Sequence, residues 1–254
     1  MIKLTNKNWL LAINNLKKKD RILKEIINKY KSEKLHCKKN AFLTLAKSIT
    51  GQQISVKAAN SIWQKLEKKI RKINLDEKNV YWSDRITLPY KPHIGTLSVS
   101  PEIDSINSLT PDNHGGNMDL PDMGPGSITY LPVRSPGARL FIGDAHACQG
   151  DGEVCGVAVE YPTVTTIKVD LIKKYTIEWP RLENENMLMA IGSTRPLEDA
   201  TRIAYRELVR WLTKDYKFNQ WDIYMILSQV GKVRLGNFVD PKYTVSAGIE
   251  KKYL

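Results

Sequence analysis

The chain has 254 residues, of which 42% are hydrophobic and 26% charged, a composition typical of globular proteins. No apolar run approaches the ~20 residues that a membrane-spanning helix needs, and the first twenty residues lack the apolar core and cleavage site of a signal peptide. Three cysteines are too few for a disulfide framework, so we predict a reduced, cytoplasmic setting and no membrane partner.

The net charge of +12 is distributed unevenly. Residues 1–85 carry 21 Lys and Arg against 7 Asp and Glu, whereas residues 86–254 carry 18 against 20. Residues 1–85 also hold a single glycine and no proline, whereas all 12 prolines follow. We therefore predict two units, residues 1–82 and residues 86–254, of which only the first has the basic character that suits nucleic acid.

The first unit has the pattern of a small helical bundle with a lysine-rich surface. Trp9, Ile13 and Leu16 recur at helical spacing, and Asp20 is a candidate N-cap for a second helix. Two further predicted helices meet at Gly51, which can end the first of them.

The segment LAKSITGQQISVKAANSIWQKL closely resembles the DNA-3-methyladenine glycosylase II type of the helix-hairpin-helix superfamily. The resemblance covers residues 35–75 and implies that Gln52 and Gln53 lie at the DNA backbone beside a flipped base. That family continues with a glycine-rich hairpin and a catalytic Asp, and neither follows residue 73 in a matching context. We expect weak nucleic-acid binding by this unit and no base excision.

The second unit predicts strands and turns, because its short apolar runs are broken by Pro and Gly. Predicted strands cover residues 94–99, 127–133, 138–142, 154–160 and 163–171. The run LEDATRIAYRELVRWLTKD predicts a helix with one apolar face, and WDIYMILSQV predicts a second with Tyr224, Leu227 and Val230 inward. The predicted fold class is α+β: a short all-α amino-terminal segment, then a β-rich barrel or sandwich carrying a carboxy-terminal helical pair.

Three segments of this unit carry chemistry, and the first is HGGNMD. Its two glycines allow a close backbone approach or a positive φ, so that His114, Asn117 and Asp119 could converge on one point. The alternative is a turn in which the histidine and the asparagine satisfy the loop backbone. Another segment, VGKVRLGNFVDPKYTV, lies near the end of the chain.

The remaining segment is FIGDAHACQGDGEVCG. Asp144 and His146 are two residues apart and face the same side of an extended strand. The glycines of QGDGE allow a turn that brings Asp151 and Glu153 back towards them. Carboxylate and imidazole together suit Zn²⁺ or a similar divalent ion, and Glu153 could instead act as a general base. The alternative is an acidic turn that binds nothing.

HGGNMD, GDAHACQGDGEVCG and WPRLE together resemble the acetamidase/formamidase family, whose members hydrolyse short linear amides to a carboxylate and ammonia. The resemblance runs over residues 86–254 and implies a divalent metal in the active site, which we predict to be zinc. It implies that the active site holds Asp144, His146, Gln149, Asp151 and Glu153, with His114, Asn117 and Asp119. Among these we predict three sets: metal ligands Asp144, His146 and Asp119; catalytic residues Glu153, Asp151 and His114; amide-binding residues Asn117 and Gln149.

A complete member of that family is longer at its amino-terminal side, where it contributes strands and part of the pocket. Here the glycosylase-like segment occupies that place, so we expect exposed strand edges and self-association into a homo-oligomer. The predicted function is hydrolysis of formamide or acetamide. The alternatives are a DNA-binding remnant of a glycosylase and a chimeric product with neither activity.

Overall fold

The computed structural model describes residues 6–19, 21–29 and 73–254. The chain divides into two compact units, Met1–Arg71 and Lys72–Leu254. The described part of the first unit consists of helices α1 (Asn6–Lys19) and α2 (Arg21–Lys29). The glycosylase-like segment, with Gln52 and Gln53, lies outside the described residues. The all-α nature of the first unit therefore stays a prediction beyond these two helices.

The second unit begins with a small antiparallel sheet. Its strands are β1 (Asn74–Leu75), β2 (Asn79–Ser83) and β3 (Ile86–Pro89). The helical assignment of residues 1–82 is therefore wrong for 74–75 and 79–82, which are strand. Asp76 explains the departure, because its Oδ1 accepts hydrogen bonds of 2.8 Å from the backbone N–H groups of Lys78 and Asn79. A side chain that satisfies the backbone in this way starts a turn and competes with a helix.

Two further sheets and two helices complete the unit. A three-stranded sheet has the order β5-β4-β7, and a five-stranded sheet has the order β10-β11-β9-β8-β6, both wholly antiparallel. The elements are β4 (His93–Ser98), β5 (Gly115–Asn117), β6 (Ile128–Tyr130), β7 (Phe141–His146), β8 (Arg181–Glu183), β9 (Met187–Thr194), α3 (Leu197–Asp215), α4 (Gln220–Val230), β10 (Lys232–Asn237), β11 (Tyr243–Glu250) and the 3₁₀ turn Lys251–Tyr253. No sheet closes into a barrel within residues 73–254, so the fold is mixed α/β with separate antiparallel sheets.

The five-stranded sheet has a core on each face, because alternate residues of a strand point to opposite sides. Leu188 and Ala190 of β9 pack in a cluster with Leu208 of α3 and Leu227 of α4. Met189 and Ile191 belong to a second cluster, which contains Met118, Leu120, Met123 and Leu182. Asp119, which lies between Met118 and Leu120, is therefore also buried.

A buried ion pair joins the first of these faces to its helix. Arg181 of β8 and Glu207 of α3 are both almost fully buried, and Arg181 donates from Nε and from its Nη2 to Glu207 Oε1 at 2.8 Å and 2.7 Å. The Arg181 guanidinium also lies 5.0 Å from the centre of the Trp211 ring. The WPRLE run thus fixes α3 on the sheet.

The helical pair was predicted correctly in position and only partly in orientation. Ile223 and Leu227 are the buried residues of α4, whereas Tyr224 is 62% exposed and its predicted inward position is wrong. Asn219 caps the helix through a 2.8 Å bond from the Trp221 backbone N–H to its Oδ1. Neither helix of this unit, nor α1 or α2, has the combined length and apolarity that crossing a membrane requires.

Two predicted strands are absent from the second unit as described. Residues 154–160 contribute one isolated bridge, between His146 and Glu160, and residues 163–171 form no strand. Val164 is 98% exposed and Val169 is 68% exposed. Residues 159–161 do pair with the end of β7, since the Val159 N–H donates to the Cys148 carbonyl oxygen at 3.0 Å and the Tyr161 N–H to that of Ala145 at 3.1 Å, but this pairing amounts to one bridge. Residues 163–171 have no partner strand, and apolar alternation without one does not produce a strand.

Candidate active site

The small sheet β5-β4-β7 brings together residues that are far apart in sequence. β4 lies in its centre, with His93 opposite His146 of β7 and Thr96 opposite Asn117 of β5. The backbone N–H of Asp119 donates to the carbonyl oxygen of Gly95 at 3.1 Å, which holds the residues after β5 against β4. The pairing of β4 with β5 and β7 therefore brings the segments HGGNMD and FIGDAHACQGDGEVCG together on either side of β4.

Three predicted ligands meet there. Asp119, Asp144 and His146 each offer an atom within 4.8 Å of the other two. A Cβ atom on Gly95 would lie 2.5 Å from Asp119 Oδ1, 2.6 Å from Asp144 Oδ2 and 2.9 Å from His146 Cε1. The three groups thus converge on the space above a residue that has no side chain.

A second group shares His146. His146, Glu153 and Glu160 also offer atoms within 4.8 Å of one another, and His146 Nε2 lies 3.3 Å from Glu160 Oε2 and 3.3 Å from Asp144 Oδ1. His146 is 1% exposed and Glu153 is 7% exposed. One buried imidazole is therefore surrounded by carboxylates from four positions in the sequence.

Neighbouring amides fix one oxygen of Asp119 and leave the other free. Asp119 Oδ2 accepts from Asn117 Nδ2 at 2.6 Å and from Asn237 Nδ2 at 3.2 Å. Asn117 Nδ2 also donates to Asp240 Oδ2 at 2.9 Å, and its Oδ1 accepts from Thr96. Asp119 Oδ1 is buried without a hydrogen-bond partner. The carboxylate is thus oriented so that its free oxygen faces the other ligands.

The backbone is unusual at three of the acidic residues. Asp119, Asp144 and Glu153 have φ values of 48°, 60° and 47°. A positive φ is uncommon for residues other than glycine and costs on the order of 1 kcal/mol or more, so it persists where the surroundings enforce it. Such strain is concentrated at functional sites, and here all three carboxylates belong to the two groups that share His146.

Burial and mutual repulsion change the proton affinity of these groups. Burial, together with the nearby Glu153 carboxylate, raises the pKa of Asp119 to about 9. Burial also raises the pKa of Glu153 to about 7, and the carboxylates of Asp240 and Glu160 add to it. Burial lowers the pKa of His146, but the carboxylates of Asp144 and Glu160 outweigh that effect and raise it to about 11. At neutral pH the cluster therefore holds protons on Asp119 and His146, and a divalent ion bound there would displace them.

The side chains of Asp119, Asp144 and His146 form a group that could bind a divalent ion. Asp119 Oδ1 is a buried polar atom without a hydrogen-bond partner, a costly condition unless something binds it. His146 Nε2 is also buried, and it has only carboxylate oxygens at 3.3 Å and no hydrogen bond of good geometry. Both adjoin the space that a Cβ on Gly95 would fill. One imidazole with carboxylates suits Zn²⁺ among the common divalent ions.

Comparison with known proteins gives the family. A model described as the Acetamidase/Formamidase family matches residues 103–250, more than half of the chain and all of the candidate ligands above. The chain belongs to the acetamidase/formamidase family. The predicted resemblance of the second unit is therefore confirmed.

Solved structures of this family are similar to the second unit. The crystal structure of acetamidase from Yersinia enterocolitica has 74% sequence identity and a TM-score of 0.71, over 72% of this chain and 56% of that one. Acetamidase from Bacillus halodurans has 30% identity and a TM-score of 0.68, over 74% of this chain and 65% of that one. The formamidase of Methylophilus methylotrophus is 43% identical over 79 residues, 29% of this chain and 19% of the relative. The chain thus spans less than two thirds of the length of each.

The structure sorts the predicted site residues of this acetamidase/formamidase chain into three groups. It brings Asp119, Asp144, His146 and Glu153 together. It places Asn117 and Gln149 beside them, with their amide groups engaged by other protein atoms.

The structure does not bring the remaining two predicted catalytic residues to the cluster. Asp151 is exposed and its Oδ1 accepts from Arg234 Nε at 2.7 Å. His114 is buried with no partner for its Nδ1, and Asp112 and Lys242 are the charges that act on it, while burial lowers its pKa. Their catalytic roles stay predictions without geometric support.

Several residues of this candidate site were not predicted from the sequence. His93, Gly95 and Thr96 come from an ordinary apolar strand, and Glu160 lies in a stretch assigned to another strand. Asn237 and Asp240 lie in VGKVRLGNFVDPKYTV, which was expected to carry chemistry without a residue being assigned. The polar side chains of Asn237 and Asp240, close together in that run, could have indicated a role in the site.

Gly95→Ala should lower zinc affinity by about 10–100-fold, since the added methyl group would push the converging ligand atoms apart. Gly143→Ala is the matched control, because a Cβ on Gly143, in β7 of the same sheet, meets nothing within 4 Å. Competition with a chromogenic chelator measures both affinities. Equal affinity in Gly95→Ala and the control would contradict the proposed position of the ion.

Proposed function

We propose that this chain hydrolyses the carbon–nitrogen bond of short linear amides, giving a carboxylate and ammonia from formamide or acetamide. The observation that carries the proposal is the convergence of Asp119, Asp144 and His146 above Gly95, with an unpaired buried oxygen on Asp119. The family match to residues 103–250 and the names of the relatives support the same reaction.

We infer that Asp119, Asp144 and His146 hold the divalent ion, with zinc as the ion of choice. Bound there, such an ion would supply positive charge that acidifies a water and polarises an amide carbonyl. Thr96 steadies one of the ligands from β4, since its Oγ1 lies 3.5 Å from Asp144 Oδ2. Asn117 and Asn237 steady another by holding Asp119 Oδ2.

Glu153 is the acid–base group of the proposed reaction. A base works best when its pKa lies near the working pH, and burial places the pKa of this carboxyl group at about 7. As a carboxylate it takes a proton from the water that attacks the amide carbon. It then returns that proton to the amide nitrogen as the C–N bond breaks. Ammonia leaves, and the water oxygen stays with its second proton in the carboxylic acid product. That acid loses its proton in solution, where ammonia takes it up, which gives the carboxylate and ammonium.

The test of this proposal is ammonia release from formamide and acetamide by the purified chain, before and after chelation. We expect release that is lost on chelation and restored by added Zn²⁺. Absence of release from folded, zinc-loaded chain would refute the proposed activity. Asp144→Asn should abolish the response to zinc, whereas Asp170→Asn, which lies in the exposed stretch after residue 163, should not.

Nucleic-acid binding through residues 1–82 stays a separate prediction. It depends on the glycosylase-like segment, which lies outside the described residues, and on the excess of Lys and Arg in this part of the chain. Salt-sensitive DNA binding that disappears when residues 1–80 are deleted is the expected result. The cytoplasmic setting and self-association also stay predictions; of the described cysteines, both Cys148 and Cys155 are free.

A further inference from the structure

The amide group of Gln149 has a single orientation that satisfies its surroundings. Its Nε2 donates to the backbone carbonyl of Asp119 at 2.6 Å and to that of Gly236 at 3.0 Å. Carbonyl oxygens only accept, so the reversed orientation would place three acceptors against one another. Oε1 must therefore point the other way.

On that side Gln149 Oε1 meets two imidazoles. It lies 2.8 Å from His146 Nδ1 and 3.0 Å from His93 Nε2, and these two ring nitrogens lie 3.3 Å from each other, so Oε1 is the nearer acceptor for His146 Nδ1. An amide oxygen has no hydrogen to give, so the nearer nitrogen, His146 Nδ1, must carry one. The other nitrogen of that ring, Nε2, faces the carboxylates of Asp144 and Glu160.

His93 encloses the same ring from the side. Its ring centre lies 5.0 Å from that of His146 with the planes at 90°, and the two residues are directly opposite in β4 and β7. His93 Nδ1 lies 3.2 Å from the carbonyl oxygen of Lys91, which holds its ring in place. The His146 imidazole is thus packed edge-to-face and hydrogen-bonded at its Nδ1.

We propose that Gln149 is a positioning residue, which keeps a hydrogen on His146 Nδ1 and turns His146 Nε2 towards the ion. Gln149 was predicted above to bind the amide substrate. Its four polar contacts are instead all made within the protein. This inference rests on the proposed function in one respect, which is that His146 Nε2 is the atom that binds the divalent ion.

The same side chain joins all three of the segments that carry chemistry. Gln149 belongs to GDAHACQGDGEVCG, and its two acceptors are the carbonyls of Asp119 in HGGNMD and of Gly236 in VGKVRLGNFVDPKYTV. An outer-shell partner of a ligating histidine fixes both the ring orientation and the position of its proton, and its loss costs about 10–100-fold in metal affinity. Gln149 thus has two roles that can be tested separately. Its Nε2 links the segments through the two carbonyl oxygens, and its Oε1 orients the His146 ring.

Two variants separate these roles. Gln149→Met keeps the size and loses both the acceptor and the donors. Gln149→Glu keeps an acceptor near His146 Nδ1 and loses the donors to the two carbonyls. Gln229→Met, on the exposed face of α4, is the matched control. Zinc affinity by chelator competition and thermal unfolding are measured for each.

We expect both Gln149 variants to unfold at a lower temperature, and only Gln149→Met to lose about 10–100-fold in zinc affinity. An equal loss of affinity in both variants would reduce Gln149 to a structural tie and overturn the inference. Unchanged zinc affinity in both, with a raised KM for formamide, would restore the substrate-binding role.

The role of Gln149 can also be tested without zinc or substrate, by NMR of the His146 imidazole in the metal-free chain. Proton–nitrogen NMR should show a hydrogen-bonded, slowly exchanging proton on His146 Nδ1, assigned by its loss in His146→Gln. It should persist in Gln149→Glu and exchange rapidly in Gln149→Met. Absence of this proton in the unaltered chain would overturn the inference whatever the zinc result, whereas its presence in a chain without zinc affinity would count against the proposed function alone.

Discussion

Glu153→Gln should lower kcat for formamide hydrolysis by about 10²–10⁴-fold, the typical contribution of a positioned general acid–base group. The amide of glutamine has nearly the same shape and cannot carry the proton from water to the leaving nitrogen. Glu153 is buried beside His146 and Glu160, so no bulk water substitutes for it directly. The measurement is steady-state ammonia release at saturating zinc.

The matched control for this prediction is Glu185→Gln, which changes an exposed glutamate in the turn between β8 and β9. It should leave kcat unchanged. Thermal unfolding of Glu153→Gln should show no loss of stability, because the change removes a buried carboxyl group whose charged form is disfavoured by burial. If kcat for Glu153→Gln stays within about tenfold of the unaltered chain, another residue moves the proton.

Arg181→Met should lower the free energy of unfolding by about 3–5 kcal/mol, the typical cost of removing one partner of a buried ion pair. Glu207 would remain 2% exposed with neither of its two short bonds from Arg181. Burial already raises the pKa of Glu207 despite the adjacent guanidinium, which indicates how costly its charge is in this environment. Urea unfolding monitored by circular dichroism gives the change from the midpoint and slope.

Two further variants give this prediction its controls. Arg202→Met removes an exposed arginine that pairs with Asp199 on the same helix and should cost about 0–1 kcal/mol. The double variant Arg181→Met with Glu207→Leu should recover most of the lost stability, because it leaves no buried charge unpaired. A double variant as unstable as Arg181→Met would show that packing around Trp211, and not the charge, dominates.

The sequence predicted those parts of the fold whose pattern is set locally. The periodic apolar face of LEDATRIAYRELVRWLTKD became α3, and the strand at 94–99 became β4 with a shift of one residue. The stretch 154–160 has strand-like alternation but pairs with β7 only at its end, through one bridge, and the stretch 163–171 has no neighbouring strand in residues 73–254, so neither forms a strand. Asp76 shows the opposite error, since one capping side chain redirected a segment that had been assigned to helix.

The same distinction applies to the candidate site. Asp144, His146 and Glu153 were predictable because they lie within one short segment with the right ligand types. Gly95 and Glu160 were not, because only strand pairing and the approach of a distant loop bring them to His146. Asn117 and Gln149 do lie beside the cluster, but the contacts that decide what each amide group does reach Asp240 and the Asp119 carbonyl oxygen, far away in the sequence.

The proposed activity depends above all on one divalent ion bound by Asp119, Asp144 and His146 above Gly95. Anomalous diffraction at the zinc edge, from a crystal of the zinc-loaded chain, tests it most directly. We predict one strong peak within about 2.0–2.2 Å of Asp119 Oδ1, an Asp144 carboxylate oxygen and His146 Nε2. A peak bound elsewhere in the chain, or none at this position in protein that binds zinc in solution, would contradict the account.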